Sequence, residues 1–282
     1  MSRTRAEALP FMLPAALLLA AVTAVPMLDV AWLSLEHRTP FRAPSFAGLD
    51  NYARLLADAR FWNALWNTVY FAAVSVSLEI VLGLLVALAV VRAGRLRPVV
   101  YGAILVPWAI PGVVSARVWE WMYNPEIGLI NHLLGSQVNW LGAPWVALHA
   151  AILMDVWKST PFVALLLVAA LQGIPRDLYR AAAVDGAGAW TTLRRITLPM
   201  LAPIVGVAAV FRTIDALRVF DAIYVLTGGG PANGTETLSI YAYKMLFQAL
   251  DFGYGAALAV AMLLVTAAVT LVHARLLRRG DA

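Results

Sequence analysis

The chain has 282 residues, 62% of them hydrophobic and 13% charged, with a formal net charge of +5 and a mean hydropathy of +0.77. A soluble domain carries about 25% charged and roughly 45–50% apolar residues, so this composition excludes an ordinary soluble enzyme, a disordered protein and a free nucleic-acid binder. There is no Cys, which excludes a disulfide framework, a thiolate metal site and a cysteine nucleophile.

A membrane-spanning helix needs about 20 consecutive apolar residues, and six such runs follow one another. The first, residues 8–35, comes after Arg3 and Arg5 as a signal peptide would. Its length, with Pro14 and Pro26 inside it, favours a retained helix. The second, 62–91, is interrupted only by Glu79. The third, 98–123, holds Arg117 and Glu120, three apart and predicted to pair. The fourth, 145–171, carries Asp155 and Lys158, and the fifth, 198–226, carries Arg212, Asp215, Arg218 and Asp221. The sixth is 252–277. The prediction is an all-α polytopic membrane protein, one transmembrane domain of six helices, since backbone polar groups inside lipid must be satisfied within the segment.

The connections differ in character. Residues 36–61 read as a long loop with an amphipathic turn near 51–56. Residues 227–251 open with Gly228-Gly229-Gly230-Pro231, which cannot be a helix interior. Lys and Arg counted over the loops orient the spans. Twelve fall on the N-terminal side: Arg3, Arg5, Arg92, Arg95, Arg97, Arg176, Arg180, Arg194, Arg195, Arg275, Arg278 and Arg279. Five fall on the other: Arg38, Arg42, Arg54, Arg60 and Lys244. Both termini and the 172–197 loop are therefore predicted to be cytoplasmic, with the cations orienting helices and meeting lipid rather than nucleic acid.

The 172–197 loop is the most informative stretch. Pro175 suits a first helical turn, and Asp177 suits the positive end of the helix dipole. Ala181, Ala182 and Ala183 continue the helix without bulk, and Asp185-Gly186 ends it. A second short amphipathic helix over 190–196 is predicted to lie at the membrane surface with Arg194 and Arg195 outward. Small side chains let another protein's backbone come close.

This segment resembles the EAA loop of type I ABC importer permeases through Ala181, Ala182, Asp185, Gly186, Ala187, Ile196, Leu198 and Pro199. The likeness extends to Leu105-Val-Pro107-Trp-Ala-Ile-Pro111, to the run from Asn124 to Asn131, to Trp157-Lys-Ser-Thr-Pro161-Phe and to Leu226-Thr-Gly-Gly-Gly-Pro231. These resemble the carbohydrate-uptake branch, of the maltose, glycerol-phosphate and trehalose type. The resemblance implies a type I ABC importer transmembrane domain in a prokaryotic plasma (inner) membrane. It implies a second permease subunit, in a heterodimer, two ATPase subunits and an extracytoplasmic sugar-binding protein. It also implies that Tyr179, Arg180, Ala181, Ala182, Asp185, Gly186 and Ala187 meet the ATPase. Arg180 stands where the family usually has Glu, which reverses the charge offered there. The chain has no G-x-x-x-x-G-K-[ST] stretch, so ATP and Mg belong to the partner ATPase and this subunit is non-catalytic.

Ionisable residues inside spans mark pathways or internal pairs. Glu79 reads as a hydrogen-bonded structural acid. Residues 212, 215, 218 and 221 recur every three, so the stripe drifts round a 3.6-residue helix. Asp215 and Arg218 are placed nearer the pathway. Pro161 frees the carbonyl of Trp157, and an irregular turn there would line a cavity. Trp157, Phe162 and Trp108 are candidate sugar-facing aromatics. By position, the resemblance points to Trp108, Gly112, Lys158, Ser159, Phe162, Asp215, Ala216 and Val219 as the substrate pathway. His37, His132, His149 and His273 are scattered without metal-ligand spacing.

Two alternatives stay open. In an ion-coupled secondary transporter, Glu79, Asp155 and the fifth-span charges would carry protons, but the loop has no purpose there. A membrane-embedded enzyme would need a metal cluster or a Ser-based elbow, neither of which the sequence shows.

Overall fold

A computed structural model describes residues 3–280, with side chains from 12 to 273 and at 275. The side chains of Arg3, Arg5, Arg278 and Arg279, counted above toward orientation, lie outside the described residues. The chain opens with α1 (Arg3–Leu33), then a hairpin of β1 (Glu36–Thr39) and β2 (Arg42–Phe46), then α2 (Asp50–Ala57). The long α3 (Ala59–Arg92) leads through a single 3₁₀ turn to α4 (Arg97–Ala109) and α5 (Gly112–Met122). The short α6 (Leu129–Leu134) precedes α7 (Pro144–Gly173), and α8 (Arg176–Val184) and α9 (Ala189–Thr192) form the loop beyond it. A π-helical turn (Leu193–Thr197) joins α9 to α10 (Leu198–Ala216). After α10 come α11 (Asp221–Leu226), α12 (Leu238–Tyr243), a second π-helical turn and α13 (Phe252–Gly280).

Among the described residues, five helical stretches are long and apolar enough to cross a membrane: Met12–Leu33, Ala59–Arg92, Pro144–Gly173, Ala189–Ala216 and Phe252–His273. The third predicted span is two helices. Gly94–Ala109 and Gly112–Met122 meet at a bend of 94°. Pro111 lacks an amide hydrogen, and it holds Ile110 extended (φ −73°, ψ 133°). The fifth predicted span is also interrupted, since α10 stops at Ala216 and Asp221 opens a separate helix.

Two further expectations change. The 36–61 connection is a hairpin plus α2 rather than a loop with one turn, with Glu36 opposite Phe46 and Thr39 opposite Arg42. The hairpin is mostly exposed and lacks the apolar alternation that marks a half-buried strand. Pro161 makes no irregular turn, because α7 runs through it unbroken.

The chain divides into two compact units, Met1–Phe61 with Tyr241–Leu264, and Trp62–Ile240 with Val265–Ala282. In the first, the Asp58 carboxylate accepts hydrogen bonds from Tyr241 (2.5 Å) and Tyr254 (2.6 Å). Arg54 pairs with Asp251 at 2.7 Å and lies 4.0 Å over the Tyr254 ring. In the second, Phe71, Tyr123, Leu148, Met154, Leu217 and Ile223 form part of the larger core. A smaller core around Ala87, Val163, Leu167 and Ala208 holds α3, α7 and α10 together. Gly83 permits this approach, since a Cβ there would lie 2.6 Å from Val163.

Candidate functional site

Two places in the second unit collect the predicted residues. The first is the α8–α9 loop. Gly186 has φ +74°, and its amide donates to Ala183 O (3.2 Å) while that of Ala187 donates to Ala182 O (2.9 Å). This is a Schellman cap, whose left-handed residue favours glycine. It stops α8 and turns the chain toward α9. Arg180, Ala181, Asp185 and Gly186 are exposed on this bump, Tyr179 and Ala187 are half-buried, and Ala182 is buried. Nothing lies within 4 Å of a Cβ built on Gly186. Arg180 pairs inside the loop with Asp177 at 3.1 Å, and Tyr179 contacts Thr197 Oγ1 at 3.2 Å. The predicted second helix is α9 with its π-helical turn. It does not end at 196 but continues directly into α10, with Arg194 and Arg195 on that turn.

The second place is where the α4–α5 break and the α10–α11 break face α7. Each break leaves carbonyls without helical partners. That of Ile110 accepts from Lys158 Nζ at 2.6 Å. That of Val219 accepts from Ser239 Oγ (2.5 Å) and Thr237 Oγ1 (3.4 Å). Between the breaks lies a cavity of about 280 Å³. Gly112, Lys158 and Ser159 line it from one side, and Asp215, Ala216, Arg218 and Val219 from the other. Trp108 and Phe162, with rings stacked at 6.1 Å, line a neighbouring cavity of about 310 Å³ that shares Asp215 and Arg218. All nine predicted pathway positions are thus brought together. Trp157 is not among them, because its ring packs edge-on against Trp119 in the core.

Behind Asp215 lies a buried charge cluster. The Arg212 guanidinium, 5% exposed, meets fully buried Glu79 with two hydrogen bonds, 2.6 and 3.0 Å. It also reaches Asp155 Oδ2 at 3.2 Å and pairs with Asp215. A buried charge is tolerated when it is paired and hydrogen-bonded, and the planar fork of Arg suits several carboxylates at once. Arg212 therefore ties α3, α7 and α10 together and holds Asp215, itself largely exposed, at the cavity wall. Glu79 is the structural acid that the sequence predicted. The predicted Arg117–Glu120 pair is also present, at 2.5 Å.

Sequence reasoning left Asp155 and Asp221 out of the pathway, yet both line the cavity. Asp221 fits because a Cβ on Gly112 would come 2.5 Å from its Oδ2. Its presence beside Arg218 in the sequence was a signal, masked by the expectation of one continuous helix. Among the described residues, no three His, Asp or Glu side chains come together as a metal site. The arrangement is a small polar chamber with charges of both signs, an aromatic pair beside it and helix breaks on two sides.

Known proteins share this sequence and architecture. A trehalose/maltose transport system permease protein, MalF, of Thermococcus litoralis is 45% identical over 254 residues, 88% of this chain and 86% of its own. A trehalose transport system permease protein, SugA, of Mycobacterium tuberculosis is 41% identical over 280 residues, 98% of this chain and 90% of its own. A chain in the crystal structure of a bacterial ABC transporter involved in importing the acidic polysaccharide alginate superposes with a TM-score of 0.83 at 25% identity. That match covers 96% of this chain and 94% of the other. Residues 79–280, which hold the charge cluster, both helix breaks and the capped loop, match the model of one family, and the chain belongs to it: the binding-protein-dependent transport system inner membrane components.

Proposed function

We propose that this chain is a translocation subunit of an ATP-driven importer for a disaccharide of the trehalose or maltose kind. The observation that carries the reading is the glycine-capped, low-bulk loop joined without interruption to the helix that ends at the cavity. The loop docks on a separate ATPase, which binds ATP and Mg, while this chain performs no chemistry. Closure of two ATPase subunits moves the loop as a rigid body and changes which side of the membrane the cavity faces. A second permease subunit completes the pathway, and an extracytoplasmic binding protein delivers the sugar. Both termini are cytoplasmic. Within the cavity, Asp215, Asp221 and Ser159 accept or donate hydrogen bonds to hydroxyls, and the Trp108–Phe162 pair offers an apolar face for C–H groups.

The names of the relatives at 41% and 45% identity support the sugar class. Reconstitution of the chain with its permease, ATPase and binding-protein partners in liposomes tests the proposal. Trehalose uptake that requires ATP inside and stops with a nucleotide-site variant of the ATPase is the expected result. Uptake driven by a proton gradient without nucleotide overturns it.

A further inference from the structure

The largest cavity described, about 840 Å³, lies at the loop end of α3 and α7, beside the α8–α9 loop, with which it shares Tyr179 and Ala187. Three arginines line it, Arg92 at the end of α3, Arg97 at the start of α4 and Arg176 at the start of α8, and the Arg97 guanidinium also lies 5.7 Å over the Tyr101 ring. No Asp or Glu lines it, and no ion pair is formed by these three arginines among the described residues. Three cations at one cavity with no carboxylate in its wall favour an anionic occupant. Leu88, Val91, Leu171 and Leu193 give the rest of the wall an apolar stretch, beside Gln172, Thr192 and Thr197. Trp190, 70% exposed, stands at its edge, and such rings favour the boundary between lipid and water. The occupant therefore needs an anionic head and an apolar body.

We propose that this cavity binds the phosphate headgroup of an anionic phospholipid, with the first acyl carbons against Leu88, Val91 and Leu171. Arginine matches phosphate oxygens with paired N–H donors, and basic pockets between membrane helices take anionic headgroups. Free phosphate shares the head chemistry but leaves the apolar wall in contact with water. An ATPase carboxylate fits less well. Of the seven loop residues that the resemblance assigns to the ATPase, the half-buried Tyr179 and Ala187 line this cavity, and the exposed Arg180, Ala181, Asp185 and Gly186 do not. The lipid supports the loop from behind, touching the side chains of Tyr179 and Trp190. The inference does not rest on the transported sugar or on the direction of transport.

The test uses the transporter as purified with its accompanying subunits. Native mass spectrometry counts bound phosphatidylglycerol against phosphatidylcholine, with inorganic phosphate as a third arm. Phosphatidylglycerol is expected to be retained preferentially, and about tenfold more weakly once Arg92, Arg97 and Arg176 are all changed to Gln, while the triple Lys variant stays close to wild type. A photoactivatable phosphatidylglycerol on the unaltered protein is expected to label peptides within 88–97 and 171–193. Three results overturn the proposal. One is equal phosphatidylglycerol retention by the wild-type and Gln proteins, or labelling elsewhere. Another is displacement of the lipid by inorganic phosphate at equal concentration. The last is loss of the ATPase from the Gln variant with lipid binding unchanged.

Discussion

Lys158 donates from its ammonium to the carbonyl of Ile110 across 2.6 Å, and so the middle of α7 closes the break between α4 and α5. The carbonyl is freed by the sharp turn at Pro111, and the positive charge meets the negative end of α4. A residue that composition alone marks as a costly intramembrane cation is thereby the partner of a backbone group that would otherwise be unsatisfied.

Replacing Lys158 by Met removes that bond and leaves the carbonyl unpaired. A bond to a charged group contributes about 1.5–3 kcal/mol. ATP-driven uptake is expected to fall by roughly tenfold or more, with the assembled complex melting at a lower temperature. Uptake at wild-type rate by a Met variant of normal abundance would remove the capping role.

Arg212→Gln strands Glu79 and Asp155 in the bundle. Removing one partner of a buried ion pair costs about 3–5 kcal/mol, so the single variant is expected to be poorly assembled. Adding Glu79→Gln should recover part of the loss, because two neutral amides can bond to each other. Yields and unfolding curves in detergent for the two singles and the double check this, and independent, additive losses would contradict it.

Gly186 separates two causes that are usually confounded. Its φ of +74° costs a residue with a Cβ roughly 1–2 kcal/mol, while Asn tolerates the region better. The surrounding space is open, so bulk there strains nothing within the chain. Gly186→Asn is therefore expected to leave the fold intact and still abolish ATP-driven uptake, because in the proposed assembly the added side chain would stand where the ATPase docks. Normal uptake by the Asn variant and loss only in Gly186→Val would show that the turn alone matters.

Gly112→Ala is expected to push Asp221 from its place in the cavity, given the 2.5 Å clearance to its carboxylate. The predicted effect is a several-fold weaker half-saturation for sugar with assembly unchanged, about 1 kcal/mol. Transport assays over a range of binding-protein concentrations, beside a melting curve, separate recognition from folding.

The Asp58 knot gives the first unit a pH signature. Burial pushes the Asp58 carboxyl up, but hydrogen bonds from Tyr241 and Tyr254 and from the amides of Arg60 and Phe61 outweigh it and hold the group below the ordinary carboxylate value. Its contribution is present above about pH 4 and is lost as pH falls through the lowered folded value. Tyr241 behaves oppositely. Burial and its bond to Asp58 push it up to about 12, so its contribution holds below about pH 10 and is lost as pH rises through 12. Melting temperature against pH is expected to lose both flanks in Asp58→Asn.

The sequence made the long helices legible because apolar length is sufficient to mark them. The Pro111 break and its 94° bend went unread, because 98–123 reads as one span although Pro107 and Pro111 stand inside it. The α10–α11 break was invisible. No Pro or Gly lies between Arg212 and Asp221, and the carbonyl it exposes is satisfied by Thr237 and Ser239, well beyond it in the chain. The pathway positions followed from a family likeness rather than from periodicity. The carboxylates that complete the chamber, Asp155 and Asp221, needed the folded chain to be seen together.

The run from Ala189 through the π-helical turn to Ala216 is continuous over 28 residues. It begins three residues after Gly186 and ends one residue past Asp215. Mechanically it is a lever about 40 Å long, whose tilt by about 10° at one end sweeps the other through about 7 Å. The stiffness of that rod, set at its root by the π-helical turn and the Tyr179–Thr197 contact, would decide how much of a displacement at the loop reaches the chamber.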